Sequence, residues 1–332
     1  MTRRAALQAD SDIPHLPALL LLFLVSGCAA LIYQVVWLQL LELVIGSSAI
    51  SLAVLLGTFM GGMGLGSLVF PRFVGTTIHP LKAYACLEAG IGAAGLMLLY
   101  GMPLVHEAYA VTGGGVLVRA AVAALCLLPP TILMGATLPA VARWVEATPS
   151  GVSWLGFFCG GNIAGAVVGT LLAGFYLLRV YDMAVATWVA LVLNATVALV
   201  GWILASRTPY RRPELSPVVL ASGRPAASSR LVYVAIALSG FTALAAEVLW
   251  TRLLALGVGA TVYAFSLILA AFLFSLGVGS SLGAALARRT RDPRAAFAWC
   301  QLLLCAAMAW AAFRLTESLP FMHKICPDLG EA

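Results

Sequence analysis

The sequence predicts an all-α integral membrane protein of about nine helices, arranged as a parallel internal repeat of six spans followed by three. Three observations predict it. Apolar residues make up 62% of the 332 and charged residues only 10%, giving a mean hydropathy of +1.01. A soluble domain needs far more polar surface. Nine apolar runs are each long enough for the roughly 20 residues that cross a ~30 Å hydrocarbon core. Finally, the chain matches itself at a constant offset of 213 residues.

The spans are read at 17–45, 49–71, 81–103, 117–142, 153–178, 182–205, 231–257, 261–287 and 295–319. Turn-forming or polar breaks separate most of them: Pro71 to Pro80, Met102 to Gly115, Glu146 to Ser153 and Arg179 to Asp182. The longest break, 206–230, is rich in Arg, Pro and Ser and reads as a cytoplasmic linker. The expected organisation is a cytoplasmic tail at 1–16, a six-helix repeat at 17–205 and the linker. An incomplete three-helix repeat at 231–319 and a short tail at 320–332 follow.

Charge sets the orientation. With the N-terminus in the cytoplasm of an inner membrane, fourteen basic residues fall inside, among them Arg3, Arg72, Lys82, Arg143, Arg207 and Arg288. Only Arg119 and Arg179 fall at outer ends before the final segment. The reverse orientation would invert that bias. The net charge of +6 does not indicate nucleic acid, because the basic residues flank apolar runs instead of clustering with polar or aromatic readers.

Arg3 and Arg4, an apolar run and Val25-Ser26-Gly27-Cys28 imitate a lipoprotein signal. The apolar stretch continues through Tyr33 to Trp37, so Cys28 is expected mid-span. None of the seven cysteines forms a CxxC pair, and six lie in apolar spans, where they read as packing residues. His15, His79, His106 and His323 are scattered, so the sequence points to no metal site and to no cofactor.

The repeat is the most informative feature. Ser26-Gly27 matches Ser239-Gly240, and Val35 and Trp37 match Val248 and Trp250. Gly46 falls on Gly259, Phe59 on Phe272, and Gly64, Gly66 and Ser67 on Gly277, Gly279 and Ser280. Pro80, Tyr84 and Glu88 align with Pro293, Phe297 and Gln301 without a gap. Six spans separate the copies, an even number, so both enter the bilayer in the same direction, as in transporters built of two parallel halves.

The stretch from Ser26 to Trp37, and more closely Ser239 to Arg252, resembles the opening helix of membrane-bound spermidine synthase-like proteins. The fifth span, with Asn162, Gly165, Gly169 and Gly174, and the Pro129 to Pro139 segment are similar to that family too. The resemblance covers the chain to about residue 315. It implies a major-facilitator-like membrane domain that normally precedes a soluble aminopropyltransferase-like domain, which would use decarboxylated S-adenosylmethionine. The chain departs from that pattern twice. Gln34 and Gln39 stand where the second copy has Glu247 and Arg252. No soluble domain is recognisable after residue 320, so no catalytic residue carries over.

Glycines at four-residue spacing read as flat faces for close helix crossing: Gly57 with Gly61, Gly62 with Gly66, Gly279 with Gly283, and the series Gly161, Gly165, Gly169. The run from Gly61 to Gly66 lies inside an apolar span, where a nucleotide loop has no place. Sharper signals are the charges inside spans, since burying one costs about 2.5–3.5 kcal/mol on insertion scales. Glu42, Glu88, Glu247 and Arg252 qualify. Arg252 is expected to pair with Glu42 across the related first and seventh helices. The bland reading makes these charges structural pairs or interface-reaching side chains. The functional one makes Glu88 and Glu247 the lining of a cation-handling cavity, with Gln34 and Asn162 as further polar candidates. Asn162 and Asn194 read first as interhelical glue and only second as part of that cavity, and Trp37 and Trp250 as packing or anchoring residues.

Three functions compete at this level. The first is the membrane domain of a spermidine synthase-like protein, anchoring or positioning a soluble aminopropyltransferase-like partner in polyamine-related metabolism. The second is a secondary transporter of a small amine-like cation. The third is a structural subunit of a larger membrane complex or oligomer. The lipid bilayer is the partner common to all three.

Overall fold

A hydrocarbon core offers no hydrogen bonds, so each spanning segment must satisfy its backbone internally, and an α-helix does so within one segment. The computed structural model describes residues 16–46, 48–74, 78–112, 115–145, 151–208, 210, 227–258, 261–290 and 292–325. Nine helices among them are long and apolar enough to cross a membrane. They are α1 (Leu16–Ile45), α2 (Ser48–Phe73), α3 (Pro80–Thr112), α4 (Val116–Val145), α5 (Gly151–Leu172) and α6 (Met183–Arg207), then α7 (Ala227–Val258), α8 (Val262–Arg289) and α9 (Pro293–Ile325). Helix α5 runs on through a π-helical turn at Ala173–Leu177 and a last turn at Leu178–Val180. The N-terminal tail, most of the 206–230 linker and the residues after Ile325 lie outside the described residues.

Several helices extend past the expected breaks. Helix α3 continues through Pro103 to Thr112, where a break from Met102 had been expected, and α9 reaches Ile325 instead of residue 319. Proline removes one backbone donor and crowds the preceding turn, which bends a helix without obliging it to stop. Real ends carry recognisable caps. Gly46 adopts φ 77° and its N–H donates to the Glu42 carbonyl at 2.9 Å, closing α1 in the left-handed conformation glycine tolerates. Asp182 accepts from Val185 N at 2.7 Å to open α6.

Helices α1 to α6, with Phe265–Phe274 of α8, form one compact unit; the remainder of α7 to α9 forms a second. Within the first unit, close approaches give the helix directions. Gly161, Gly165 and Gly169 of α5 face the backbones of Leu20, Leu24 and Cys28 of α1 in register, so these helices run parallel. Gly62, Gly66 and Gly135 bring α2 and α4 together in the same way, against Thr131, Ile132 and Met63. Helices α3 and α6 run antiparallel, with Gly201 beside Tyr84 and Gly92 beside Leu191 and Asn194. Within this unit α1 and α5 share one direction and α2 and α4 share one, while α3 and α6 oppose each other, as a chain crossing a bilayer serially requires.

Two of the expected glycine pairs are placed differently. Gly57 and Gly61 of α2 are exposed and have no neighbour within 4 Å, because they sit on the face of α2 opposite α4. Gly279 and Gly283 of α8 likewise meet nothing within 4 Å.

One end of the first unit is dense. Leu19, Phe23, Tyr84, Phe158 and Val197 are fully or almost fully buried there, with Phe23 stacked on Tyr84 at 5.5 Å and edge-on to Phe158 at 5.4 Å. Polar side chains tie the helix ends above this cluster. Arg143 donates to the Val74 and Pro71 carbonyls at 2.8 and 3.1 Å, and His79 Nε2 lies 3.0 Å from the Thr208 carbonyl.

Candidate functional site

Among the described residues, Glu88 and Glu247 are the only buried side chains of an ionisable acid or base with fixed charge in water, at 0% and 5% exposure. Glu88 lies eight residues into α3, about 12 Å from its start at 1.5 Å per residue. Leu81, Tyr84, Glu88, Gly92 and Gly95 follow three- and four-residue spacing and so share one face of α3. On α1 the facing residues are Phe23, Ser26 and Tyr33; on α6 they are Asn194, Val197 and Gly201.

Ser26 Oγ donates to Glu88 Oε1 at 2.6 Å. The Tyr33 ring lies on Gly95, two turns beyond Glu88, and stacks on Trp37 at 5.4 Å. Tyr84 sits one turn before Glu88, its hydroxyl near the same carboxylate without completing a hydrogen bond. Five polar atoms of this seam are buried without a hydrogen-bond partner among the described residues. They are Glu88 Oε2, the hydroxyls of Tyr33 and Tyr84, and both amide atoms of Asn194. Gln34 Nε2 and Trp37 Nε1, further along α1, are in the same condition. Buried polar groups are ordinarily paired, so such a cluster is a place where function is sought.

The second copy repeats the central contact. Gln301 Nε2 donates to Ser239 Oγ at 2.9 Å, and the partners are 62 residues apart, as are Ser26 and Glu88. Both pairs are related by the 213-residue offset. The two copies therefore build one interhelical bond with a carboxylate in the first and a carboxamide in the second. The reverse exchange occurs one position set away: buried Gln34 in the first copy corresponds to buried Glu247 in the second. Each copy holds one carboxyl and one carboxamide, at exchanged places.

Glu42 is half-buried near the end of α1, and Arg252 is exposed on α7; they belong to different compact units. Asn162 is exposed on α5, and its backbone and side-chain oxygens lie against Gly27 instead of joining the Glu88 cluster. No group of three or more His, Cys, Asp or Glu that could hold a metal occurs among the described residues.

Sequence reasoning found Glu88 but not its surroundings. Ser26 had been noted only as a repeat landmark, and Tyr33 and Tyr84 not as polar groups. The signal was present: serine and a carboxyl or carboxamide recur 62 residues apart in both copies. Ser26→Ala is expected to lower stability by about 1–3 kcal/mol, the usual cost of leaving a buried acceptor unsatisfied. Thermal unfolding of the detergent-solubilised protein measures it, and Ser239→Ala, at a half-buried position, is expected to cost less. No family model, curated protein or solved structure matches the chain.

Proposed function

We propose that this chain is a membrane domain that takes up a small cation, with Glu88 as the residue that holds it. The observation that carries the reading is the pair of repeat-related hydrogen bonds. Gln301 makes the bond to Ser239 without a charge, so a neutral amide suffices for the structural task. At the equivalent place the first copy keeps a carboxylate in an apolar interior, where an unpaired charge is costly. A carboxylate does what an amide cannot: it binds and releases a cation. Tyrosine rings beside it suit a positively charged ligand as well.

This reading places the chain in a major-facilitator-like architecture of parallel copies, in an inner membrane with the N-terminus in the cytoplasm. The resemblance to spermidine synthase-like membrane proteins makes a polyamine-type amine the first cargo to test. Purified protein in proteoliposomes is expected to accumulate a radiolabelled diamine in response to an imposed proton or potential gradient. Equal accumulation in protein-free vesicles under every gradient sinks the transport reading.

A second reading, the anchoring or positioning of a partner, rests on a different observation. Gly27 and Gly66 seat neighbouring helices in the first copy, whereas their counterparts Gly240 and Gly279 have nothing within 4 Å. Small residues left open on membrane helices are docking places for other helices. Stoichiometric co-purification with an aminopropyltransferase-like enzyme or with other membrane subunits would favour it over transport.

A further inference from the structure

We propose that the cation held at Glu88 is a proton, and that Glu88 with the Tyr33 and Tyr84 hydroxyls is a proton-exchanging site inside the first unit. The inference rests on the reading of Glu88 as a cation-holding residue and names the cation.

The packing around the carboxylate argues for the smallest ligand. Glu88 is wholly buried, and the space beside it is taken by side chains. The Tyr84 ring is clamped against Phe23 and lies next to Gly201. The Tyr33 ring covers Gly95, and Leu191 and Asn194 cover Gly92. An alkylammonium ion would have to displace these rings; a proton displaces nothing.

The hydrogen-bond inventory leaves a place for that proton. Oε1 is occupied by the Ser26 hydroxyl, so Oε2 is the free position. A proton on Oε2 turns that oxygen into a donor, and the Tyr84 hydroxyl near the same carboxylate, unpartnered, can either accept from it or donate to it. An isolated buried carboxylate with no cation at hand is neutralised by a proton, because burial penalises the charged form.

Among the described residues, the charged side chains of the helices packed against α3 lie toward helix ends. From α1 and α3 the titratable groups facing Glu88 are the phenols of Tyr33 and Tyr84. Helix α4 carries Arg119 in its first turn and Arg143 in its last, the latter bound to α2 carbonyls. On α6 the basic residue is Arg207, at the final position of the helix. Tyr84 lies one turn closer to the Pro80 end than Glu88. Uptake adds one proton from water to Oε2 and release returns it; no other bond changes.

The test is infrared difference spectroscopy of the full chain in lipid, titrated with pH in light and heavy water. The expected result is a carbonyl-stretch band of an undissociated acid at neutral pH, shifted by deuterium. It should vanish in Glu88→Gln, persist in Glu247→Gln, and be replaced by carboxylate bands in alkali. Should Glu88→Gln fail to fold, Glu88→Asp serves instead, and the band is expected to move in frequency. A Glu88-dependent carboxylate band at every pH at which the protein stays folded overturns the proposal. So does a carboxylate band that responds to sodium or a diamine but not to pH. A proton band without diamine accumulation leaves this inference standing and removes amine transport; accumulation without the band does the reverse.

Discussion

Gly165→Leu is expected to abolish the folded first unit. The α-carbon of Gly165 lies so close to α1 that even a single added Cβ would overlap the backbone of Leu24, and Gly169 stands likewise over Cys28. A flexible side chain could move aside, but a helix backbone cannot without carrying α1 and its neighbours with it. Overpacking typically costs about 1–3 kcal/mol, and a backbone clash belongs at or above the top of that range. Helix α1 is the most buried of the nine spans, so its displacement disturbs the α3 seam as well. The measurement is the monodisperse fraction and thermal midpoint of detergent-extracted protein. Gly61→Leu provides the control: that glycine is exposed with nothing within 4 Å, and the substitution is expected to be silent. Equal tolerance of both substitutions would show that the α1–α5 approach is not what holds the unit together.

Glu88→Gln is expected to separate function from stability. The amide keeps the size of the side chain and its bond to Ser26, in the arrangement that Gln301 and Ser239 adopt in the second copy. Replacing a buried ionisable group by a neutral one of similar volume is often neutral or stabilising, so the thermal midpoint should hold or rise. Cation uptake, in contrast, should fall to the level of empty vesicles, because an amide neither binds nor releases a proton near neutral pH. Retained uptake with retained stability would assign Glu88 a structural role alone. Loss of both would mean that the carboxylate is part of the fold, and only the infrared measurement could then speak for its proton.

Much of the fold was legible in the sequence because the bilayer imposes one severe condition, that every crossing segment be a long apolar helix. Nine such segments could be located from composition and punctuation, and their borders differ from the helices mainly where proline was read as a stop. Pro103 shows why: the ring removes one hydrogen bond, and a helix supported on both sides continues past it. The choice of helix face was much less legible. In a soluble protein the apolar stripe marks the inside, but lipid is as apolar as a core, so hydropathy does not tell Gly57 and Gly61 from Gly62 and Gly66. Only packing against α4 separates them.

The sequence by itself determined that the chain is a membrane protein, the number of its candidate spans, and which few charges lie within them. It also contained the 213-residue correspondence between copies. Tertiary structure alone decided what surrounds Glu88. In the sequence Glu88 is read as cavity lining and Asn162 as glue or a further cavity residue; in the fold Asn162 turns its oxygens to Gly27 while Glu88 meets Ser26, with Tyr84 one turn away. The reason is geometric. Contacts between helices 62 residues apart depend on the rotation of each helix about its axis, and in a uniformly apolar segment small residues set that rotation. Gly92, Gly95 and Gly201 admit Asn194, Tyr33 and Tyr84 to the seam, and the carboxyl of Glu88 is enclosed as a consequence.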